Sequence, residues 1–462
     1  MKVQLRFSAL AVIFVCVFFR STTAFSQITP QPTQQPTQQT TPESAPQTTT
    51  ITLDDAIRRA EANEPAFAAA AAESRALRLE QTDARTALLP TLTYHNQVIY
   101  TEPNGQTDRI GETATAPGFV FIANNAVREY ASQGIMNETL GLSQFAAIRV
   151  AEANSARAAA ELEVARRGLI STVVNLYYSL GSQNEKLIVA QRALAEANRF
   201  VQVTQQRENA GEAAHADVVK AQLQQQQRQR ELADTQLAAD KARIEFGVLL
   251  FPDPSTTFQL APNSLPPPLP ERSSVEAAAK QNNPELKSAL ASLQLNQAQT
   301  YASRAALLPE LNLNAAYGID APQFATNGPN GAKNLGYSGS AQLDIPVWNW
   351  LTTERKIKES RLRTDAAKVA LTAAQRRLVA NLSEFYAEAA TAQQELASLD
   401  ASVLTARESL RLTNLRYTAG ESSVLDVVDA QNALISAENA QADGIVRYQL
   451  ALAQLQTLTG RL

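Results

Sequence analysis

The two halves of the sequence repeat one another, and this constrains the fold more than any other feature. The hexapeptide ALLPTL at 87–92 recurs as ALLPEL at 306–311, at an offset of 219 residues. The segment at 207–222 recurs at 416–431, at an offset of 209. A chain that resembles itself in this way is a duplicated structural unit. We expect two structural repeats at 52–250 and 273–462, joined by a proline-rich connecting strap at 251–272.

Each repeat contains one very long helix with a heptad pattern. No Gly or Pro occurs from residue 347 to residue 419, and apolar residues there alternate spacings of four and three, from Leu378 to Tyr417. The first repeat has the same seam from Leu169 to Thr204. This is the pattern of a coiled coil. A helix over 143–210 would be about 100 Å long, so we expect a coiled or tubular assembly in which two shorter helices in line match one long helix.

Each repeat also contains a pair of alternating strands. Leu311, Leu313 and Tyr317 interleave with small or polar residues, and a second run at 335–345 does the same. A half-buried soluble hairpin is the commoner meaning of such alternation, but strands of about ten residues also suit a membrane barrel. Aromatic residues near the strand ends favour the barrel, because they would form a girdle at the membrane interface: Tyr94, Tyr100, Tyr317, Tyr337, Trp348 and Trp350.

Four strands cannot close a barrel in lipid, so several chains must share one. The predicted fold class is therefore mainly α with a β-barrel part: an internally duplicated chain with a long coiled-coil α-helical barrel and a shared transmembrane β-barrel, four strands per chain.

The N-terminal segment and the composition exclude several classes of protein. Residues 1–26 have the charge, apolar run and small residues of a signal peptide, and 27–51 are rich in Pro, Gln and Thr, which predicts a disordered extension. Cys16 lies in an apolar run that does not resemble a lipoprotein box, so we expect no lipid anchor.

The composition excludes other classes. Lys plus Arg number 41 against 45 Asp plus Glu, which argues against nucleic acid as a partner. Two His and one Cys predict no metal site, no cofactor and no enzyme.

The second repeat contains the motif RYTAGE at 416–421, followed by LDVVDA at 425–430. With the doubled ALLPxL motifs, the chain from 52 to 460 resembles the TolC-type outer membrane efflux family. The resemblance implies a homotrimer with twelve strands in the cell outer membrane and a helical tunnel across the periplasm. It also implies a passive exit duct that docks on an inner-membrane pump through a periplasmic adaptor protein.

Several site residues follow from the two turns. Gly after a long helix predicts a left-handed C-cap at Gly211 and at Gly420, and the resemblance places these tips, with Glu212 and Glu421, against the adaptor. Asp426 and Asp429 are three residues apart and share a helix face. Alone they would be solvated carboxylates, but the resemblance implies two rings that narrow the pore.

The resemblance also suggests a latch between helix pairs at Tyr417 and Asp217, although Ser422 occupies a position where an Arg partner can occur. Two other interpretations remain: an exported structural or adhesive coiled-coil trimer without a channel, and the periplasmic adaptor itself. The exported substrate stays open among drugs, metals and proteins, with small molecules favoured.

Overall fold

The computed structural model describes residues 49–100, 128–261, 267–328, 331 and 333–460. The predicted signal peptide and residues 27–48 of the predicted extension lie outside the described residues. The described elements, in chain order, are β1 (Thr49–Ile51), α1 (Leu53–Asn63), α2 (Pro65–Thr86), β2 (Thr91–Tyr100), β3 (Arg128–Gly141), α3 (Leu142–Asn209), α4 (His215–Leu250), β4 (Phe258–Leu260), α5 (Arg272–Asn282), α6 (Pro284–Ala305), β5 (Glu310–Ala321), β6 (Leu335–Asp344), α7 (Thr352–Thr418) and α8 (Val424–Thr459).

The duplication is visible helix by helix. α1 and α5 each have 11 residues, α2 and α6 each have 22, and α4 and α8 each have 36. The long helices α3 and α7 have 68 and 67 residues. Matching helix start signals explain part of this agreement in helix length. Pro65 and Pro284 each occupy the first position of a helix, where the missing N–H of proline costs no hydrogen bond.

The helices form a single wall in which each long helix runs past two shorter ones. α3 packs against α2 and then α4, whereas α7 packs against α6 and then α8. α3 also contacts α6 and α8, so the two repeats meet along α3. The order is therefore α2–α3–α6–α7 at the strand end and α4–α3–α8–α7 at the far end. This confirms the expectation that two helices in line match one long helix.

The heptad seam of α7 is buried as the sequence predicts. The buried side chains along it belong to the predicted alternating series: Leu378, Leu382, Ala389, Ala392, Val403, Leu410 and Tyr417. The corresponding positions Leu169, Val173, Leu180, Ala197 and Thr204 are buried on α3. None of the helices in the described part of the chain contains an apolar stretch that could span a lipid bilayer.

Four strands form an antiparallel sheet in the order β2-β3-β5-β6. The register pairs Leu92 with Met136 and Leu311 with Leu343. Since Met136 in turn pairs with Ala315, the alternating apolar residues of all four strands lie on one face. The opposite face carries residues such as His95, Gln133, Asn314 and Ser340. Both β2 and β6 are edge strands in the single chain.

The last three residues of the predicted disordered extension, Thr49–Ile51, are part of the folded structure. Thr49–Ile51 form β1, which pairs in parallel with β4 of the connecting strap. Ile51 is fully buried with Phe246 and Phe258 in a cluster that also includes Leu250. The expected boundary at residue 51 is therefore wrong, because one isoleucine at the end of a polar run gains a buried site through pairing with a strand about 200 residues away.

Candidate functional site

Two tight turns join the long helices to their partners at the end of the wall opposite the strands. In the first, Gly211 has φ +76° and its N–H donates to the Glu208 carbonyl at 2.9 Å, while the Glu212 N–H donates to the Arg207 carbonyl at 2.8 Å. In the second, Gly420 has φ +80° and the Glu421 N–H donates to the Arg416 carbonyl at 2.8 Å. Both are Schellman turns, which close a helix through a left-handed glycine. The C-caps predicted at both glycines are confirmed.

Each turn also carries an Arg–Glu ion pair, but the two arginines lie in different surroundings. Arg207 Nε is 3.6 Å from Glu212, and its side chain is only 17% exposed. Arg416 Nε is 3.9 Å from Glu421, and its side chain is 65% exposed. The repeats therefore share a turn but differ in what the arginine contacts.

Arg207 connects the tip of the first helical hairpin, α3–α4, to the tip of the second, α7–α8. Its guanidinium carbon lies 4.8 Å from the centre of the Tyr417 ring, and Nη1 donates to the Tyr417 carbonyl. This arginine therefore holds the last turn of α7 by a cation–π contact and a hydrogen bond to a helix C-terminal carbonyl, where a cation is favourable. Sequence reasoning missed it, although Arg207 and Arg416 occupy matching positions in the repeated motif.

Tyr417 itself is buried between the hairpins. Its hydroxyl is 3.1 Å from Thr204 Oγ1, and its ring centre is 5.2 Å from that of Phe200. The same cluster contains Val424 and Val427 of α8. Tyr417 is thus a contact between α3, α7 and α8 near the tips.

Asp217, the other predicted latch residue, is on the first turn of α4. Its carboxylate is 4.0 Å from the ammonium of Lys220. No hydrogen bond within the described residues joins Asp217 to Tyr417. The structure of the single chain therefore brings Tyr417 to α3 and leaves Asp217 beside Lys220.

Asp426 forms a capping box at the start of α8. Its Oδ2 accepts hydrogen bonds from the Ser423 N–H and the Ser423 hydroxyl, both at 2.8 Å, and its own N–H donates to Ser423 Oγ at 3.3 Å. The Ser423 backbone N–H, followed by the Ser423 hydroxyl, lowers the pKa of the Asp426 carboxyl. Asp426 is exposed and stays ionised at neutral pH.

Asp429 is one turn further along α8 and is also exposed. The equivalent positions on α4 hold Asp217 and Lys220, an acid and a base that pair. The same helix face therefore carries two carboxylates in the second repeat and a neutral pair in the first.

Two buried polar contacts lie above the tips and were not predicted. Arg228 of α4 is buried and donates to Asn432 of α8 through Nη2. Further up, the buried Glu438 of α8 accepts from Arg192 of α3 at 2.8 Å and from Arg407 of α7 at 3.2 Å. The partners are 204 positions apart for Arg228, and 246 and 31 positions apart for the two arginines that contact Glu438. No local sequence pattern predicts contacts between residues so far apart in the chain.

Five of the six predicted interface aromatics lie at two levels of the sheet, and Tyr100 lies beyond both, six residues after Tyr94 on β2. Tyr94 pairs with Gly134, Gly134 with Tyr317, and Tyr317 with Tyr337, so three tyrosines lie in one row on the apolar face. Tyr100 is the last residue of β2. Tyr317 is seven residues after Glu310, the first residue of β5. The tyrosine row is therefore about 23 Å along the strand from the end of the sheet where β5 begins.

Trp348 and Trp350 lie at the other level, where β6 leads into α7. Their ring centres are 6.0 Å apart in an edge-to-face arrangement, and both side chains are exposed. The chain enters α7 through two left-handed residues, Trp350 and Leu351, with φ +57° and +58°. Among the described residues, no group of three or more His, Cys, Asp or Glu could hold a metal ion.

The family model for outer membrane efflux proteins matches residues 56–247 and 277–461. Protein CyaE of Bordetella pertussis is 26% identical over 318 residues, which cover 68% of this chain and 65% of that protein. Outer membrane protein TolC of Vibrio cholerae is 23% identical over 425 residues, which cover 89% of this chain and 91% of that one. The chain thus spans less than two thirds of the length of some of its relatives and nine tenths of others.

The fold also matches solved structures. The outer-membrane channel OprN superposes with a TM-score of 0.73 at 20% identity, covering 89% of this chain and 90% of that one. A helical barrel with a β part is thus the shared fold, as the sequence predicts. The matching family is one of transport channels and not of enzymes. The chain belongs to the outer membrane efflux protein family, whose members are outer-membrane channels.

Proposed function

We propose that the protein is the outer-membrane channel of a tripartite efflux or secretion system, and that it forms a passive exit duct without chemistry of its own. The observation that carries this proposal is that the chain has two unfinished edges. One edge consists of β2, α2 and α4, and the other consists of β6 and α7. Each edge is thus made of an open strand and one or more open helices. A wall with two such edges closes into a ring when copies are joined edge to edge.

The free side of α7 supports this closure. Leu362, Val369 and Leu404 are exposed in the single chain and fall at one heptad position, since they are separated by whole multiples of seven. On the opposite edge, Leu223, Leu237 and Ile244 of α4 are exposed at one heptad position as well. Leu404 lies at the level of the α4 stripe, whereas Leu362 and Val369 lie nearer the strands, at the level of α2, where Leu79 is exposed. A coiled-coil contact between neighbouring copies would therefore pair α7 with α4 near the tips and with α2 near the strands. We propose that three copies close the ring, as the family resemblance implies.

The sheet supports placement of the strands in the outer membrane. One face carries exposed apolar residues, among them Leu92, Val98, Tyr317 and Tyr337. In a twelve-stranded barrel made from three chains this face would contact lipid, and the polar face would line the lumen. The tyrosine row and the tryptophan pair then mark two interface levels of the membrane.

The acidic turn of α8 supports a constriction at the far end. In a threefold assembly, Asp426 and Asp429 repeat as two rings of carboxylates, and no base on α8 within the same turn offsets them. Such rings favour cations and bind multivalent ones. Asp426 is held ionised by its capping box, so its ring keeps its charge at neutral pH.

The closed position of the second hairpin would be held by the contacts of Tyr417. Within the chain these come from Arg207, Thr204 and Phe200 of α3. Asp217 remains a candidate latch partner across a subunit boundary. Because the buried Glu438 cluster ties α8 to α3 twelve residues above Asp426, about 18 Å along the helix, opening would move only the helix ends below it.

The two Schellman tips are the candidate surface for a periplasmic adaptor. They present the same backbone geometry and a Glu after each glycine, Glu212 and Glu421, at the end of the wall farthest from the strands. The adaptor would in turn connect the duct to an inner-membrane pump.

The free stripe of α7 provides a test of assembly. Leu404→Asp places a charge in the proposed contact between copies, so the purified protein should change from trimer to monomer. Ser402→Asp, two residues earlier on the other side of the helix, is the matched control and should stay trimeric. Light scattering in detergent measures the mass. A trimeric Leu404→Asp variant, or a monomeric wild type, would contradict the proposed closure.

A further inference from the structure

A cleft of about 440 Å³ lies between α6 and α7, next to the point where α6 leads into β5. Three cationic side chains line it, those of Arg304, Arg361 and Lys368, together with one carboxylate, Asp365. The Asp365 carboxylate is 2.8 Å from the Lys368 ammonium, so these two charges offset each other. Within the part of the chain that the structure describes, Arg304 and Arg361 have no ion-pair partner.

A further cation lies beside the cleft. The guanidinium carbon of Arg149 is 4.6 Å from the centre of the Tyr301 ring, and Tyr301 lines the cleft. The local charge is therefore clearly positive. Four side chains that can donate hydrogen bonds complete the lining, those of Gln297, Thr300, Tyr301 and Thr364.

The internal repeat shows that this positive charge is not simply inherited with the fold. Arg304 corresponds to Arg85 at the offset of 219, and Arg361 corresponds to Glu152 at the offset of 209. In the first repeat Arg85 Nη2 is 2.7 Å from Glu152 Oε1. The same place in the wall thus holds a neutral Arg–Glu pair in one repeat and two arginines in the other.

We propose that the α6–α7 cleft binds an anion of the phosphate class between Arg304 and Arg361. Two guanidinium groups offer paired N–H donors that match phosphate oxygens, and an anion between them replaces the carboxylate that Glu152 supplies in the first repeat. Arg304 is six residues before β5 begins, so this end of the cleft is within about 15 Å of the strands. A phospholipid headgroup and a soluble phosphate compound share this chemistry. The lipid source rests on the proposed placement of the strands in the membrane, whereas the anion site does not.

The first arm of the test measures inorganic phosphate binding to the purified full-length protein in detergent by calorimetry. The wild type should bind one phosphate per chain, and Arg361→Glu should bind at least about tenfold more weakly. This variant recreates the Arg–Glu pair of the first repeat, so it should fold normally. The converse variant, Glu152→Arg, should gain a second phosphate per chain.

The second arm uses nanodiscs of phosphatidylcholine with or without phosphatidylglycerol, and native mass spectrometry counts the anionic lipids retained. Retention that is lost in Arg361→Glu, without binding of free phosphate, assigns the site to a headgroup. Binding of free phosphate that is lost in the same variant assigns it to a soluble anion. If neither probe binds, or if wild type and Arg361→Glu bind both equally, the proposal is wrong. Neither arm measures conductance, so failure of the anion site is distinguishable from failure of the proposed channel.

Discussion

At the scale of single residues, Arg207 is the contact that most clearly distinguishes the two repeats. It stacks on Tyr417 and bonds the Tyr417 carbonyl, whereas its counterpart Arg416 is mostly exposed. Losing a partly buried cation–π contact and a charged hydrogen bond costs about 1 to 3 kcal/mol. That amount would shift a closed tip toward an open one by about 5- to 150-fold.

We therefore expect Arg207→Ala to raise the open probability of single channels in a planar bilayer. Arg416→Ala removes the equivalent residue of the other repeat and should leave the open probability near that of the wild type. Equal effects of the two substitutions would show that Arg207 has no special part in holding the second hairpin.

Individual residues also show how far the sequence can be interpreted. The positive φ of Gly211 and Gly420 follows from their place after a long helix, and Asp426 and Asp429 are visible as a pair three residues apart. The capping box of Asp426 was also within reach, since Ser423 precedes it by three residues. The contacts of Arg207, Arg228 and Glu438 could not be predicted, because each depends on which helices become neighbours in the folded wall.

At the scale of elements, the first turn of α8 depends on the ionised form of Asp426. The Ser423 N–H and hydroxyl lower the pKa of this carboxyl below its ordinary value, so its capping contribution is complete above that value and is lost as the pH falls through the folded-state pKa. Hydrogen exchange of the amides of residues 424–427 should accelerate, relative to the intrinsic rate, as the pH falls below the ordinary aspartate pKa of 3.8 and through the lower folded-state pKa.

Asp426→Asn should abolish this pH dependence, because its amide does not titrate. Asp429→Asn is the matched control on the next turn and should retain it. If both variants behave like the wild type, Asp426 does not control the stability of the turn.

The elements themselves follow closely from the sequence. The heptad seams, the proline-led helices and the alternating strands each have a local signal, and the two repeats reinforce one another. β1 was missed because its stability comes from pairing with β4 and from burial of Ile51, which are both long-range contacts. The anion cleft depends partly on the sequence and partly on the fold. Comparison of the two repeats shows that Arg361 stands where the first repeat has Glu152, but only the fold places Arg361 beside Arg304.

At the scale of the whole molecule, one chain is a segment of wall with open edges and an acidic tip. The proposed duct requires that copies close the wall, that the strands lie in lipid and that the carboxylates of Asp426 and Asp429 converge. Closure concentrates the charge of α8, since two exposed carboxylates per chain become six around one axis.

The most direct test of this account is the single-channel conductance of the purified protein in a planar bilayer, with a trivalent cation added on the side of the helical tips. The wild type should give small cation-selective currents that the trivalent ion blocks, and Asp426→Asn/Asp429→Asn should conduct without block. Insertion without any current, or equal block of wild type and variant, would contradict the proposed channel with its acidic constriction.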